Sequence, residues 1–381
     1  SHASMFLAVW RLRLLALLPR GGRQTGTVRA LVRLLVLVWL SGPAVRTAEA
    51  AFSSLYVFGD GVCSTTGNVS GGWPLYHDHT YSNGDIWIEV LAQRQGLPFS
   101  DSKNWSDMWH DSVWLLGQLN GFNPGDAPTS LFVVWVSDAD FVNYMQYGPY
   151  PSLVTTAWNN AISASLTRHA QAIATLYAKG ARTFIMPNAV DITKIPAYNG
   201  LYPYEKSFVA GRVSYFNSGF AAVVNQAKAA YPDLKICIPD FFALLENMVA
   251  QPGAYGFINT TSDALSDGYT MADAPGANYL WWDTWDPTAK AHSIMADTVR
   301  PLVQLLTAPP RISRITWLST SNRLEVTNLP VGLPGFVDGR TNLVAGAWTN
   351  VINFNSTSVT QAILVPASGP GQFYRLRFPY W

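Results

Sequence analysis

Four short, mainly apolar runs, each followed by a turn with an acidic or amide residue, constrain the fold of this chain most. They are 55–58 before Gly-Asp-Gly, 131–136 before Ser-Asp, 183–186 before Pro-Asn and 234–238 before Pro-Asp. Such runs are typical of strands buried on both faces of a parallel sheet. Helical patterns, notably 152–179 and 205–230, lie between them. We therefore predict an α/β fold with a doubly wound parallel sheet.

The pattern changes after Leu306. Residues 307–311 contain Pro309-Pro310 and predict a linker, whereas 312–381 show alternating strands separated by Gly and Pro turns. We predict a small β-sandwich module at 312–381 that packs against the main domain. Adhesion, spacing and polysaccharide contact remain open as further roles of this module.

The N-terminal segment 1–50 predicts a secretory signal and an N-terminal extension. It combines arginines, an apolar run at 34–40 and the small-residue pattern Ala48-Glu49-Ala50, which indicates cleavage near Ala51. We therefore expect a secreted, periplasmic or cell-surface protein without a stable membrane span after cleavage. Only Cys63 and Cys237 are present, so no disulfide framework is expected.

The charge distribution argues against nucleic acid as a partner. Residues 1–50 carry seven of the 25 basic side chains and one of the 24 acidic ones, which leaves 51–381 with a net charge of −5. A chain without a basic patch has no electrostatic footprint for DNA or RNA.

The acidic turns lie within motifs that resemble those of the GDSL, or SGNH, hydrolases. Residues 58–68 resemble the first block, FGDSLSDTGN, and 81–91, 131–141, 187–191 and 283–288 resemble later blocks in the order of the family. The resemblance covers about 54–306. It implies a three-layer α/β/α sandwich over 51–306, and hydrolysis of esters by a serine nucleophile, a histidine base and an aspartate that orients it.

The triad positions depart from the family. Gly61 occupies the position of the serine and Asp286 that of the histidine, whereas Asp283, the orienting aspartate, is unchanged. Losing the nucleophile or the base of a serine hydrolase costs on the order of a million-fold in turnover. A standard triad is therefore excluded.

The positions that stabilise the oxyanion also depart. Ala139 replaces the asparagine of the GxND block, Ser137 replaces its glycine, and Met108 or Trp109 stands at the glycine of the second block. Oxyanion donors are needed because the carbonyl oxygen gains charge during acyl transfer.

Other residues could supply a displaced triad. Cys63 and Ser64 follow the vacant position, where a helix N-terminus would lower the pKa of a thiol, and His110 lies beside the second block. This predicts an exported ester hydrolase that acts on acyl esters of carbohydrate, lipid or polyester with a non-standard site. His292, on the following helix, fits a packing role.

The strand ends also allow two other functions. Asp60, Asp138, Asp140, Asp283 and Asp286 are expected to cluster there, beside Trp135, Trp281, Trp282 and Trp285. Carboxylates beside indoles suit sugar hydroxyls, so a catalytically inactive protein could bind a glycan or surface ligand through Asp60, Gly61, Ser137, Asp138 and Trp285. A carboxylate-driven glycan enzyme and a calcium site remain alternatives. His77 and His79 fit a polar loop, so no metal or cofactor is expected.

Overall fold

The apolar runs form a four-stranded parallel sheet in a computed structural model. The model describes residues 52–378 except 73, 149–152, 273–275, 277, 343, 345 and 368–371. The strands pair in the order β1 (Leu55–Gly59), β2 (Leu131–Trp135), β3 (Thr183–Ile185) and β4 (Lys235–Cys237). The α/β prediction is confirmed.

Helices cover both faces of this sheet. They are α1 (Trp87–Gln95), α2 (Ser112–Gly121), α3 (Ser137–Tyr147), α4 (Thr155–Ala178), α5 (Pro203–Ala230), α6 (Phe241–Ala250) and α7 (Ala289–Thr307). Side chains alternate across a strand. Tyr56 and Phe58 accordingly join the core beneath α2, α4 and α5, and Leu55 and Val57 join the core beneath α1 and α7. This gives the three-layer arrangement that the motifs implied.

A short parallel pair leads into the last motif. β5 (Asn259–Asp263) pairs with β6 (Tyr279–Trp281), and the loop after β6 carries Asp283 and Asp286 before α7 begins. Thr288 caps α7 by accepting a hydrogen bond from the backbone N–H of Ala291. The cap fixes where this loop ends.

The C-terminal strands form two antiparallel sheets. Their bounds are β7 (Arg311–Trp317), β8 (Ser321–Thr327), β9 (Pro334–Arg340), β10 (Thr349–Asn355), β11 (Gln361–Pro366) and β12 (Phe373–Arg377). The sheet orders are β11-β8-β7 and β10-β9-β12. Buried Leu324, Val337 and Ile363 share one apolar cluster with side chains of β1 and α7. The expected all-β C-terminal structure is present, and it packs on the α7 side of the main sheet.

The predicted secretory signal at 1–50 lies outside the described residues. Within the part of the chain that is described, none of the helices is both long enough and apolar enough to cross a bilayer.

Candidate active site

A cavity lies where the loop after β1 meets the loop after β6. It holds about 870 Å³ of space, part of it open to solvent, and Gly61 and Asp286 both line it. Asp60 caps the short 3₁₀ helix Gly61–Cys63 and thereby fixes the turn that presents Gly61. A Cβ atom added to Gly61 would lie 3.5 Å from Oδ1 of Asp286. The first and last motifs therefore meet over one cleft.

The space at Gly61 accommodates a Cβ atom. After Asp286, the nearest atoms to the added Cβ would be Cδ2 of Tyr81 at 3.6 Å and Cα of Met108 at 3.7 Å. These are ordinary van der Waals separations. The position of this Cβ atom, called the gap below, is therefore free of clashes.

Asp286 presents an unpartnered carboxyl group to this gap. The residue is 3% exposed, and no hydrogen bond joins its carboxyl group to another described residue. Burial, followed by the charges of Asp283 and Asp60, raises its pKa well above the usual range. A carboxyl in this position can hold or accept a proton where the histidine base of the family would stand.

Two more buried carboxyl groups line the cavity. Oδ1 of Asp60 accepts a hydrogen bond from the N–H of Val62 at 3.2 Å, and Oδ1 of Asp138 accepts one from Val190 at 3.0 Å. Burial raises the pKa of Asp60 to about 7. Burial and the charge of Asp60 raise the pKa of Asp138 well above its usual value. The floor of the cleft is therefore a group of carboxyls that resist ionisation.

Apolar side chains form the remaining walls. They are Val62, Met108, Trp109, Trp135, Ala139, Val142, Val190, Ile195, Phe241, Leu244, Leu245, Met248, Leu280, Trp281, Trp285, Pro287, Ala291 and Met295. The rings of Trp109 and Trp285 meet edge to face with centroids 5.5 Å apart. Trp109 has a φ of 69°, a left-handed conformation that is unusual for a bulky residue. This backbone fits the glycine that the family has in its second block.

The orienting aspartate is held by other partners. Oδ1 of Asp283 accepts hydrogen bonds from the N–H groups of Trp285 and Asp286, both at 2.8 Å, and Oδ2 accepts one from the Tyr76 hydroxyl at 2.9 Å. Burial raises the pKa of Asp283. In this chain Asp283 therefore shapes the loop that carries Asp286.

The expected substitute nucleophiles point away from the cleft. A Cβ on Gly59 would lie 2.8 Å from Sγ of Cys63, which places the fully buried thiol beneath β1. Burial raises the pKa of Cys63 far above its usual value, which corrects the lowering expected from a helix N-terminus. Ser64 is also fully buried, and its Oγ accepts a hydrogen bond from the N–H of Gly67 at 2.8 Å. Neither residue lines the cavity.

The expected substitute base is likewise outside the cavity lining. His110 stacks on Trp114 with ring centroids 4.7 Å apart, and its Nδ1 lies 3.3 Å from the carbonyl oxygen of Trp105. His292 is buried in α7, where burial lowers its pKa to about 3. The structure thus brings together Asp60, Gly61, Asp138, Trp285 and Asp286, but not Ser64, Cys63 or His110.

The hydrogen-bond donors that would stabilise an oxyanion differ from those of the family. The N–H of Met108 donates to Oδ1 of Asp107 at 2.7 Å, so this backbone donor is engaged. Ala139 lines the cavity but has no side-chain amide, and Ser137, whose hydroxyl is buried, is not among the lining residues. The asparagine donor of the family is therefore missing, and of the two candidates for the second-block position the N–H of Met108 is engaged.

Asp140 belongs to a separate buried network. Its carboxyl accepts hydrogen bonds from the hydroxyls of Ser112 at 2.8 Å and Ser165 at 2.6 Å, and His169 lies next to Ser165. All four side chains are buried, and none lines the described cavity. The network therefore joins α2, α3 and α4 and is not a second triad.

No group of three or more His, Cys, Asp or Glu side chains among the described residues could hold a metal ion. His77 instead lies 3.2 Å from Asp85. The calcium alternative therefore lacks a ligand set in this part of the chain.

Sequence reasoning missed several site residues. Tyr76 and Tyr81 lie outside the quoted catalytic positions, and Phe241, Leu245 and Met248 come from α6. The apolar pattern of α6 marks a buried helix face, but it does not show that this face borders a cavity.

Comparisons with known proteins agree with the motifs. The family described as GDSL-like lipase/acylhydrolase matches residues 55–299. A thermolabile hemolysin of Vibrio parahaemolyticus is 24% identical over 68% of this chain and 65% of its own length. A GDSL esterase/lipase of Arabidopsis thaliana is 23% identical over 66% of this chain and 89% of its own length.

Two solved structures are similar to this chain at low TM-scores. A lipase from a goat rumen metagenome has a TM-score of 0.41 and 11% identity, over 65% of this chain and 95% of its own. An acetylxylan esterase of Geobacillus stearothermophilus has a TM-score of 0.38 and 11% identity, over 66% and 95%. Family membership, which rests on the sequence match, supports ester hydrolysis as the general activity. The chain belongs to the GDSL-like lipase/acylhydrolase family.

Proposed function

We propose that this protein is an exported ester hydrolase in which water attacks the ester directly and Asp286 is the general base. The observation that carries the proposal is the 3.5 Å separation between Oδ1 of Asp286 and the Cβ position that Gly61 leaves empty. The site of attack is kept while the serine is gone. A water molecule in the gap would lie within reach of an unpartnered carboxylate.

The reaction balances without a covalent enzyme intermediate. Ionised Asp286 takes a proton from water while the water oxygen bonds to the carbonyl carbon of the ester. The tetrahedral intermediate then loses its alcohol by cleavage of the C–O bond, and Asp286 returns the proton to the departing oxygen. Only the ionised form of Asp286 can begin this cycle, so we expect the rate to rise with pH, because the pKa of Asp286 is raised.

We expect slow turnover. General-base catalysis contributes roughly 10²- to 10⁴-fold, and each missing oxyanion donor forfeits roughly 10²- to 10³-fold. The substrate remains an acyl ester of carbohydrate, lipid or polyester. The apolar wall favours an ester with an apolar part over a purely hydroxylated one.

A matched set of variants tests this proposal. Hydrolysis of p-nitrophenyl butyrate is measured for the mature protein, Asp286→Asn and the exposed control Asp101→Asn. We expect Asp286→Asn to lower kcat/KM about a hundredfold and Asp101→Asn to leave it unchanged. Loss of activity in Ser64→Ala, Cys63→Ala or His110→Ala, with Asp286→Asn active, would instead support a displaced triad.

A second function is favoured by the oxyanion donors. Because the Met108 N–H is engaged and Ala139 has no side-chain amide, the cleft is better equipped to bind an ester than to stabilise its transition state. A catalytically inactive protein that binds a glycan or surface ligand is therefore the second candidate. This second proposal predicts that the parent protein and Asp286→Asn cleave the ester at the same background rate.

A further inference from the structure

The carboxyl groups of the cleft have no positive partner. Asp60, Asp138 and Asp286 are each at most 6% exposed, and no lysine, arginine or histidine is among the described residues that line the cavity. Buried carboxylates normally pair with a cation or become neutral. Without a cation these carboxyls therefore stay neutral, and a cation bound beside them would stabilise their ionised form.

Aromatic side chains surround these carboxyls. Trp109, Trp135, Trp281 and Trp285 line the same cavity, and Phe241 completes the aromatic wall. The faces of indole rings attract cations, most strongly when water is excluded. Carboxyls and indoles in one apolar cavity are complementary to an organic cation.

A second observation points independently to a ligand. Trp135 is 2% exposed, lines the cavity, and has an indole N–H without a hydrogen-bond partner among the described residues. An unpaired buried N–H costs free energy unless a ligand or water satisfies it. A bound molecule with an acceptor, such as an ester oxygen, would supply that partner.

The type of cation follows from the arrangement of the acids. The carboxyls do not form a group that could hold a metal ion. A large alkylammonium ion needs no compact shell of oxygen ligands, because it is stabilised by dispersed charge and aromatic faces. Apolar groups attached to it would contact Leu244, Leu245 and Met248 on α6.

We propose that this cleft binds an organic ammonium group between its carboxyls and indoles, and that the substrate is an ester carrying such a group. The step from ligand to substrate rests on the proposed hydrolase function, whereas the binding of the cation does not. A nearby positive charge would also favour the ionised form of Asp286 that the reaction needs.

The test uses two small molecules of nearly equal shape that differ in charge. Choline and its neutral isostere 3,3-dimethylbutan-1-ol are titrated into the mature protein by calorimetry. We expect choline to bind at least about tenfold more tightly than the alcohol. Bound choline would stabilise the ionised form of Asp138, so Asp138→Asn, which cannot ionise, should reduce choline affinity about tenfold. Asp101→Asn should leave the affinity unchanged.

Trp285→Leu provides a second variant that does not depend on a buried carboxyl. It removes one indole from the half-buried rim and should also weaken choline binding while circular dichroism stays unchanged. Equal affinity for choline and the alcohol would overturn the proposal. Choline affinity that survives both Asp138→Asn and Trp285→Leu would also overturn it.

Hydrolysis of butyrylcholine and p-nitrophenyl butyrate separates the two proposals. Choline binding without cleavage of either ester would support the cation site and would contradict the proposed hydrolase function. Cleavage of p-nitrophenyl butyrate without choline binding would contradict the cation site and would support the proposed hydrolase function. Cleavage of butyrylcholine at a higher kcat/KM than its neutral isostere, 3,3-dimethylbutyl butyrate, is the result expected if both hold.

Discussion

Restoring the missing side chains should convert the cleft into a serine hydrolase. The perturbation is Gly61→Ser with Asp286→His, because these are the family's nucleophile and base positions. The serine Cβ fits, since its nearest neighbours would lie at 3.5 Å or more. The larger imidazole can extend into the cavity that Asp286 already lines.

The orienting aspartate needs one further change. Oδ2 of Asp283 accepts a hydrogen bond from the Tyr76 hydroxyl at 2.9 Å, and Oδ1 is occupied by two backbone N–H groups. Tyr76→Phe would free Oδ2 for the new imidazole. The triple variant should therefore exceed the double variant in kcat/KM.

The expected gain can be bounded. A serine nucleophile and its base together raise turnover roughly a million-fold. The absence of the asparagine donor at position 139 lowers turnover roughly 10²- to 10³-fold. We therefore expect a gain in kcat/KM of about a thousandfold. The assay is hydrolysis of p-nitrophenyl butyrate together with labelling by a serine-directed phosphonate. Gly61→Ser alone or Asp286→His alone should raise the rate of hydrolysis little.

Gly61→Ala with Asp286→His and Tyr76→Phe is the matched control, because it fills the same space without a hydroxyl. It should show no labelling and no gain in rate. A triple serine variant that keeps the parent's circular dichroism and yet gains neither rate nor label would refute the assignment of this cleft.

Three further predictions concern the same region. Burial raises the pKa of Asp60 to about 7 in the folded protein, so the folded state binds the proton of this carboxyl more tightly than the unfolded state does. The resulting contribution to the free energy of unfolding is complete below about pH 4 and is lost as the pH rises towards 7. Asp60→Asn should flatten this decline by about 1.4 kcal/mol per pH unit in urea unfolding, and an unchanged slope would contradict the burial argument. Cys63 and Cys237 are buried and burial raises the pKa of each, so neither should react with a disulfide reagent until the protein unfolds; rapid reaction of the native protein would contradict this. Met248→Trp should fill the cavity from α6 and lower kcat/KM about tenfold with the fold retained by circular dichroism, and an unchanged rate would place the substrate elsewhere.

The sequence predicted the frame of the site because parallel strands end at a common edge. The apolar runs at 55–58 and 131–136 became neighbouring strands, so Asp60 and Asp138 came together as expected. The loop carrying Asp286 reached the same edge, as the order of the motifs implied.

The details depended on geometry that the sequence does not show. Residues Gly61–Cys63 form a 3₁₀ turn in which the thiol is buried, and the sequence alone did not show the direction of this side chain. The engagement of Asp283 by Tyr76 joins residues 207 positions apart. The contribution of α6 to the cavity wall likewise depends on tertiary packing. The apolar sequence pattern of a helix is the same whether its buried face lines a cavity or packs in the core.

Intact-protein mass spectrometry during turnover is the most direct test of catalysis by Asp286 at the Gly61 gap. The mature protein is incubated with p-nitrophenyl butyrate, and separately with the serine-directed phosphonate, and is sampled while hydrolysis proceeds. Direct attack by water predicts ester cleavage with the protein mass unchanged in both reactions. A butyryl or phosphonyl adduct on any side chain would contradict it and would identify the nucleophile.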